Sequence, residues 1–282
     1  MSNPNLVSTE WLAERLGDPN VIAVDGSWHL PDVGRDGRTE FRERHVPGAV
    51  FFDINAIADT STGLPHMLPS PELFASEVGK LGIGDGMTIV AYDASGLFAA
   101  PRVWWTFRAM GVKDVFILDG GLPKWLAESR PTESGAGERA PKTFTARLIA
   151  GAAKSADDIA SALETGAAQV VDARPAARFR GEAPEPRPGL ASGHMPGALN
   201  LPASELVKDG RLVDDETARR AFEAAGVDAS KPVVTTCGSG VTAAIVALAL
   251  ESAGARAEGL YDGSWAEWGA GGRPVATGPA KA

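Results

Sequence analysis

"IVAYDASGLFAAPRVWWTFRAMG" at residues 89–111 and "VVTTCGSGVTAAIVALALESAG" at 233–254 are two versions of one unit. Each opens on a short apolar run, turns through small residues and continues as a long apolar stretch. That order predicts a buried strand, a tight loop and a helix. The match extends outward from this block. "VIAVDGSW" at 21–28 resembles "AQVVDARP" at 168–175, and "RHVPGAVFFDI" at 44–54 resembles "GHMPGALNLPA" at 193–203. "LDGGLPKWL" at 118–126 resembles "YDGSWAEWG" at 261–269. Four blocks recur in one order at offsets of 143 to 149 residues, which marks an internal duplication.

The halves are expected at 1–130 and 146–282, joined by a linker over 131–145 that is rich in Pro, Gly, Ser and charge. "PELFASEVGKLGI" and "DETARRAFEAAGV" have helical spacing with Gly near the end, and "DVFILDGG" reads as a further strand. Strands alternating with helices predict an α/β fold, each half a mostly parallel sheet flanked by helices. The tail "GGRPVATGPAKA" is expected to be poorly ordered.

The chain has 282 residues, 44% of them hydrophobic and 22% charged, as ordered cores and a solvated surface require. A net charge of −9 argues against nucleic acid and anionic membrane as partners. The N-terminus shows no basic start followed by an apolar core, and the apolar run Val241–Leu250 is far short of the roughly 20 residues of a membrane span. A single cysteine allows no internal disulfide and suits a reducing compartment, so a soluble cytoplasmic protein is expected.

That cysteine is Cys237. It falls between the predicted strand Val233–Thr236 and a helix expected from Val241, at the carboxyl end of a parallel strand, where open α/β sheets bind ligands. Small loop residues let backbone N–H groups turn inward as an anion nest, and the helix N-terminus adds positive potential. Such a place favours a thiolate and an anion carried on it. The bland alternative is a buried small hydrophobe. The first half has Asp93 where the second has Cys237, so it lacks the thiol.

The loop "CGSGVTA" at 237–243 resembles the active loop of the tandem-domain rhodanese superfamily, in its mercaptopyruvate-type branch. Supporting matches are "GRDGRTEFRERHVPGA", "HMLP" at 66–69, "APRVWW", "LDGGLPKW", "RFRGEAPEPRPG" at 178–189, "GHMPGA" and "YDGSWAEW". Thiosulfate-type loops usually carry basic residues after the cysteine, where this chain has Gly238 and Ser239. The resemblance implies two rhodanese-like domains; Asp93 makes the first non-catalytic, and with no Walker loop or dinucleotide fingerprint in the sequence no cofactor is expected. The resemblance also implies that Cys237 takes sulfur from 3-mercaptopyruvate as a persulfide, releases pyruvate and passes the sulfur to a thiol acceptor, possibly thioredoxin, or to cyanide. Gly238, Ser239, Gly240, Val241 and Thr242 would form the anion loop. Arg178 and Arg187 would hold the substrate carboxylate, for which guanidinium forks are suited. His66 would join Cys237 and Ser239. Ser239 would touch the thiolate or relay a proton, or else merely cap the helix.

The resemblance departs at Asn55, where the family pattern has an Asp assigned to that relay. His45 and His194 repeat in both halves and read as structural, as do Asp25 and Asp172; His29 is unassigned and Arg180 peripheral. Trp104, Trp105, Trp125, Trp265 and Trp268 read as packing residues. A thiosulfate:cyanide sulfurtransferase is the nearest rival. A non-catalytic sulfur carrier is a distant one. A cysteine phosphatase needs Cys-x5-Arg, but Ala243 stands in that position. One cysteine and four scattered histidines give no metal-ligand spacing.

Overall fold

The computed structural model describes residues 3–280. They form two compact units, one of residues 3–59, 69–149 and 209–212, the other of residues 60–68, 150–208 and 213–280.

The first unit is built on strands β1 (Leu6–Val7), β2 (Val21–Asp25), β3 (Val50–Phe51), β4 (Thr88–Tyr92) and β5 (Val115–Leu118). They lie in the order β1-β5-β4-β2-β3, every pair parallel. The helices are α1 (Thr9–Ala13), α2 (Gly37–Glu43), α3 (Pro71–Lys80), α4 (Ala100–Ala109) and α5 (Gly121–Ala127). β4 is buried over Ile89–Tyr92, as an apolar central strand covered on both faces should be. Phe41, Phe51, Tyr92, Leu118 and Trp125 share one core cluster.

Residues 131–145, read from composition as a linker, pack along this unit as a strap. Glu133 bridges His45, Gly135 N–H donates to the Arg42 carbonyl and Lys142 N–H to that of Gly79. Phe144 lies edge-on to Phe74 and Phe107. Composition registers the lack of helix or strand here, not the backbone bonds that pin the segment.

Asp25 ends β2 only 1% exposed. Burial raises its carboxyl to about 7, against bonds from Ser27 and Tyr92 and with a push from Asp93. A carboxyl raised in the folded state contributes stability that is present below its unfolded value near 3.8 and lost as pH climbs through about 7. Asp25→Asn, which mimics the protonated carboxyl, is expected to recover on the order of 3–4 kcal/mol at pH 8 and almost nothing at pH 4. Urea unfolding at both pH values checks this; equal gains at each would refute it.

The second unit repeats the plan with β6 (Ala153–Lys154), β7 (Gln169–Asp172), β8 (Leu199–Asn200), the short β9 (Val207–Lys208), β11 (Val233–Thr236) and β12 (Ala257–Tyr261); β10 (Arg211–Leu212) belongs to the first unit. Its sheet runs β6-β12-β11-β7-β8, again parallel throughout. The helices are α6 (Ala156–Thr165), α7 (Ala176–Phe179), α8 (Asp215–Ala224), α9 (Ala243–Ser252) and α10 (Ser264–Trp268). α9 is buried all round except at Glu251, the pattern of a core helix.

Two expectations are corrected. α9 begins at Ala243, not Val241, because the bends of the cysteine loop take up Val241 and Thr242. The tail is held rather than loose. Ala276 pairs with His194 in both directions and Gly278 N–H donates to the Arg180 carbonyl, while residues 281–282 lie outside the described residues. Small residues reach these backbone partners without any apolar pattern to announce it. The five tryptophans singled out above are all buried. His45 and His194 stack on Phe41 and Phe179 and bond those residues' carbonyls through Nδ1, as turn-fixing residues should.

Candidate active site

Cys237 stands at the carboxyl end of β11, the centre of the second sheet, and is 2% exposed. The adjoining α10 turn fixes its backbone. Ser264 Oγ accepts the Cys237 N–H at 3.3 Å, and the N–H groups of Trp265 and Ala266 donate to the Cys237 and Gly238 carbonyls at 2.9 Å each. Ser264 holds φ at 51°, a costly conformation for a non-glycine residue. With two loop carbonyls engaged on that side, the loop turns through Gly240, whose φ of 77° suits glycine. No side chain caps the N-terminus of α9; the Ala244 and Ile245 N–H groups donate instead to the Val241 and Thr242 carbonyls at 3.2 and 3.1 Å.

The first unit shows what such a loop holds. Asp93 Oδ2 accepts the N–H groups of Phe98, Ala99 and Ala100 at 2.8 Å each, and Oδ1 accepts that of Ser95 at 2.9 Å. This copy is an anion nest filled by its own carboxylate.

Around Cys237 the second unit gathers the residues named from sequence. Arg187 Nη2 donates to Ser239 Oγ at 3.3 Å. His66 Nδ1 lies 3.1 Å from the same oxygen and 3.4 Å from the Ser239 carbonyl. Ser239 is thus engaged by two side chains and does not cap α9. His66 is buried, with φ at 62°. A Cβ on Gly238 would crowd an Arg178 nitrogen at 3.3 Å and meet one of Arg187 at an ordinary contact distance of 3.9 Å, so both guanidiniums lie at the loop and glycine eases the approach of Arg178. Burial lowers the Arg187 guanidinium from its ordinary value; Cys237 and Glu185 pull it back, while Arg178 adds to the lowering.

Sequence reasoning missed the frame behind these arginines. Arg174 is fully buried and donates to both Asp172 oxygens, to Glu185 at 2.8 Å and to the Gly193 carbonyl at 2.9 Å. Its guanidinium lies 4.1 Å above the Trp265 ring. Burial opposes the Arg174 charge, but Asp172 and Glu185 outweigh burial and raise its pKa. Glu185 also takes Nε and Nη2 of Arg178. Two signals were available. Ser27 stands in the first half where Arg174 stands in the second. The stacked Phe–His pair is four residues apart in the first half and fifteen in the second, and the extra residues include Glu185 and Arg187.

Arg180 is half exposed near Glu182, as a peripheral residue is. Asn55 lies exposed in the first unit, and neighbouring Asp53 accepts its N–H and the Arg38 guanidinium. Among the described residues no helix is long and apolar enough to cross a membrane.

The rhodanese-like domain model matches residues 8–128 and 155–270. Human 3-mercaptopyruvate sulfurtransferase is 48% identical over 93% of this chain and 91% of the relative. Mouse thiosulfate sulfurtransferase is 43% identical over 93% and 91%. The crystal structure of SseA from Escherichia coli, described as showing the rhodanese fold and catalytic mechanism of 3-mercaptopyruvate sulfotransferases, superposes with a TM-score of 0.85 at 42% identity, covering 93% of this chain and 99% of that one. The chain belongs to the rhodanese family, as a two-domain sulfurtransferase acting on a small sulfur-bearing molecule.

Proposed function

We propose that this chain moves the sulfur of 3-mercaptopyruvate to an acceptor thiol through a persulfide on Cys237, and that Arg187 and His66 act together on Ser239. The carrying observation is the meeting of Arg187 and His66 on Ser239 Oγ, two residues past the cysteine.

The Cys237 thiolate attacks the substrate sulfur, forming an S–S bond. The carbon–sulfur bond breaks, and its electron pair leaves on pyruvate as the enolate. Arg187 binds the carboxylate in a fork, which places the sulfur over the loop. With Arg187 donating to Ser239 Oγ and His66 Nδ1 beside it, the proton given up by the substrate thiol can pass through Ser239 Oγ to the enolate carbon, which completes pyruvate and leaves the outer sulfur anionic. The outer persulfide sulfur carries the negative charge and takes N–H bonds of the loop from Gly238 to Thr242, as Asp93 takes those of its own loop. An acceptor thiolate then attacks that sulfur, breaks the S–S bond and restores the Cys237 thiolate. A small thiol or a thioredoxin-type dithiol suits this second step, and the cytoplasm is the proposed location.

The test is kcat/KM for 3-mercaptopyruvate and for thiosulfate, with cyanide as acceptor. A preference of about a hundredfold or more for 3-mercaptopyruvate, about 2.7 kcal/mol, is expected. A preference for thiosulfate would leave only a Cys237 sulfurtransferase.

A further inference from the structure

Residues 60–68 fold with the second unit although they precede most of the first unit's sequence. This segment presents His66 to Ser239 in a left-handed backbone conformation, which persists only where its surroundings enforce it. Two residues on, the Leu68 N–H donates to Asp262 Oδ2 at 2.5 Å. Asp262 is 3% exposed and follows β12 directly. The next residues of the same turn, Ser264 to Ala266, are those that bond the backbone of Cys237 and Gly238. One short turn therefore grips both the cysteine loop and the chain that carries His66.

The duplicated half supports a docking role for this position. Asp119 stands where Asp262 stands in the repeat, and it accepts Nε and Nη2 of Arg211 at 3.0 and 2.6 Å. Arg211 lies in the segment 209–212, which folds with the first unit although its sequence lies in the second half. In both copies the aspartate after the last strand receives a segment from the other half of the sequence. In the second unit the contact is to a backbone N–H, which fixes the path of the chain more closely than a long exposed side chain does.

From these contacts we infer that Asp262 is a positioning residue for the sulfur-transfer step, holding His66 in register with Ser239 through the Leu68 N–H. The inference rests on the reading that His66 and Ser239 handle the leaving-group proton. Asp262 itself contacts neither substrate nor sulfur.

The experiment is a double-mutant cycle on the full chain with 3-mercaptopyruvate, using Asp262→Ala, His66→Gln and the pair. Asp262→Ala is expected to lower kcat about tenfold with KM within about twofold, and to cost nothing further in the His66→Gln background. Asp262→Asn keeps an acceptor for the Leu68 N–H and should restore most of kcat. Additive losses overturn the inference, as does an Asn variant as poor as Ala, which would assign the effect to charge. A silent His66→Gln is a different failure: it sinks the His66 reading, and the inference with it. If Asp262→Ala does not fold, Leu68→Pro removes the donor instead and enters the same cycle under the same criteria.

Discussion

Cys237→Ser is expected to bring turnover of 3-mercaptopyruvate below detection, a fall of at least about four orders of magnitude, while the protein still folds. The substitution exchanges sulfur for oxygen at a site 2% exposed, with little change of shape. The backbone bonds that hold the residue, from its N–H to Ser264 and from Trp265 to its carbonyl, do not involve the thiol. Stability is therefore expected to move by only about 1 kcal/mol. The chemistry has no such tolerance. A serine hydroxyl is not ionised near neutral pH, and it cannot form or break the S–S bond on which both half-reactions depend. Intact-protein mass spectrometry after exposure to 3-mercaptopyruvate gives a second readout: wild type should gain the mass of one sulfur atom and the serine variant none. Residual turnover by Cys237→Ser, or a wild-type chain that never gains sulfur, would remove Cys237 from the mechanism.

What could be read from sequence divides along physical lines. Strand, loop and helix follow from local patterning, and a pattern written twice corrects for the ambiguity of either copy. β2, β7 and β11 accordingly fall within the blocks quoted at the outset, and β4 starts one residue before its own. The loop that carries Cys237 was visible because the single thiol of the sequence stood where the other half has Asp93. His66, Arg178 and Arg187 were found only through the resemblance, since a lone histidine or arginine carries no local signal; the structure brings all three to the Cys237 loop. The ion network of Asp172, Arg174 and Glu185 was not legible in the same way. Arg174 is a residue type seldom buried; Asp172, two residues before it, makes its burial tolerable together with Glu185 and the Gly193 carbonyl, and the last two approach only in three dimensions. The placing of residues 60–68 with the second unit was equally hidden, because its contacts, His66 with Ser239 and the Leu68 N–H with Asp262, join residues far apart in the sequence. Composition likewise describes the strap over 131–145 as irregular but says nothing of where its backbone bonds go.

Arg187→Ala is expected to lower kcat/KM for 3-mercaptopyruvate by roughly two orders of magnitude, about 3 kcal/mol, and to lower that for thiosulfate much less, so that the preference between them collapses. The reasoning turns on which guanidinium is still able to bind a carboxylate. Arg178 already gives Nε and Nη2 to Glu185, a carboxylate 1% exposed, and Arg174 is wholly committed to Asp172, Glu185 and a backbone carbonyl. Arg187 makes a single long bond, 3.3 Å to Ser239, and keeps its remaining donors for substrate. It is half-buried, so a carboxylate bound there exchanges little of its attraction for solvent screening. Because that same bond orients Ser239, kcat should fall along with a rise in KM. Arg187→Lys restores the charge but not the planar fork, and is expected to recover only part of the loss. If Arg187→Ala leaves the ratio of the two kcat/KM values unchanged, the carboxylate is held elsewhere, and the loop rather than the arginine sets the choice of sulfur donor.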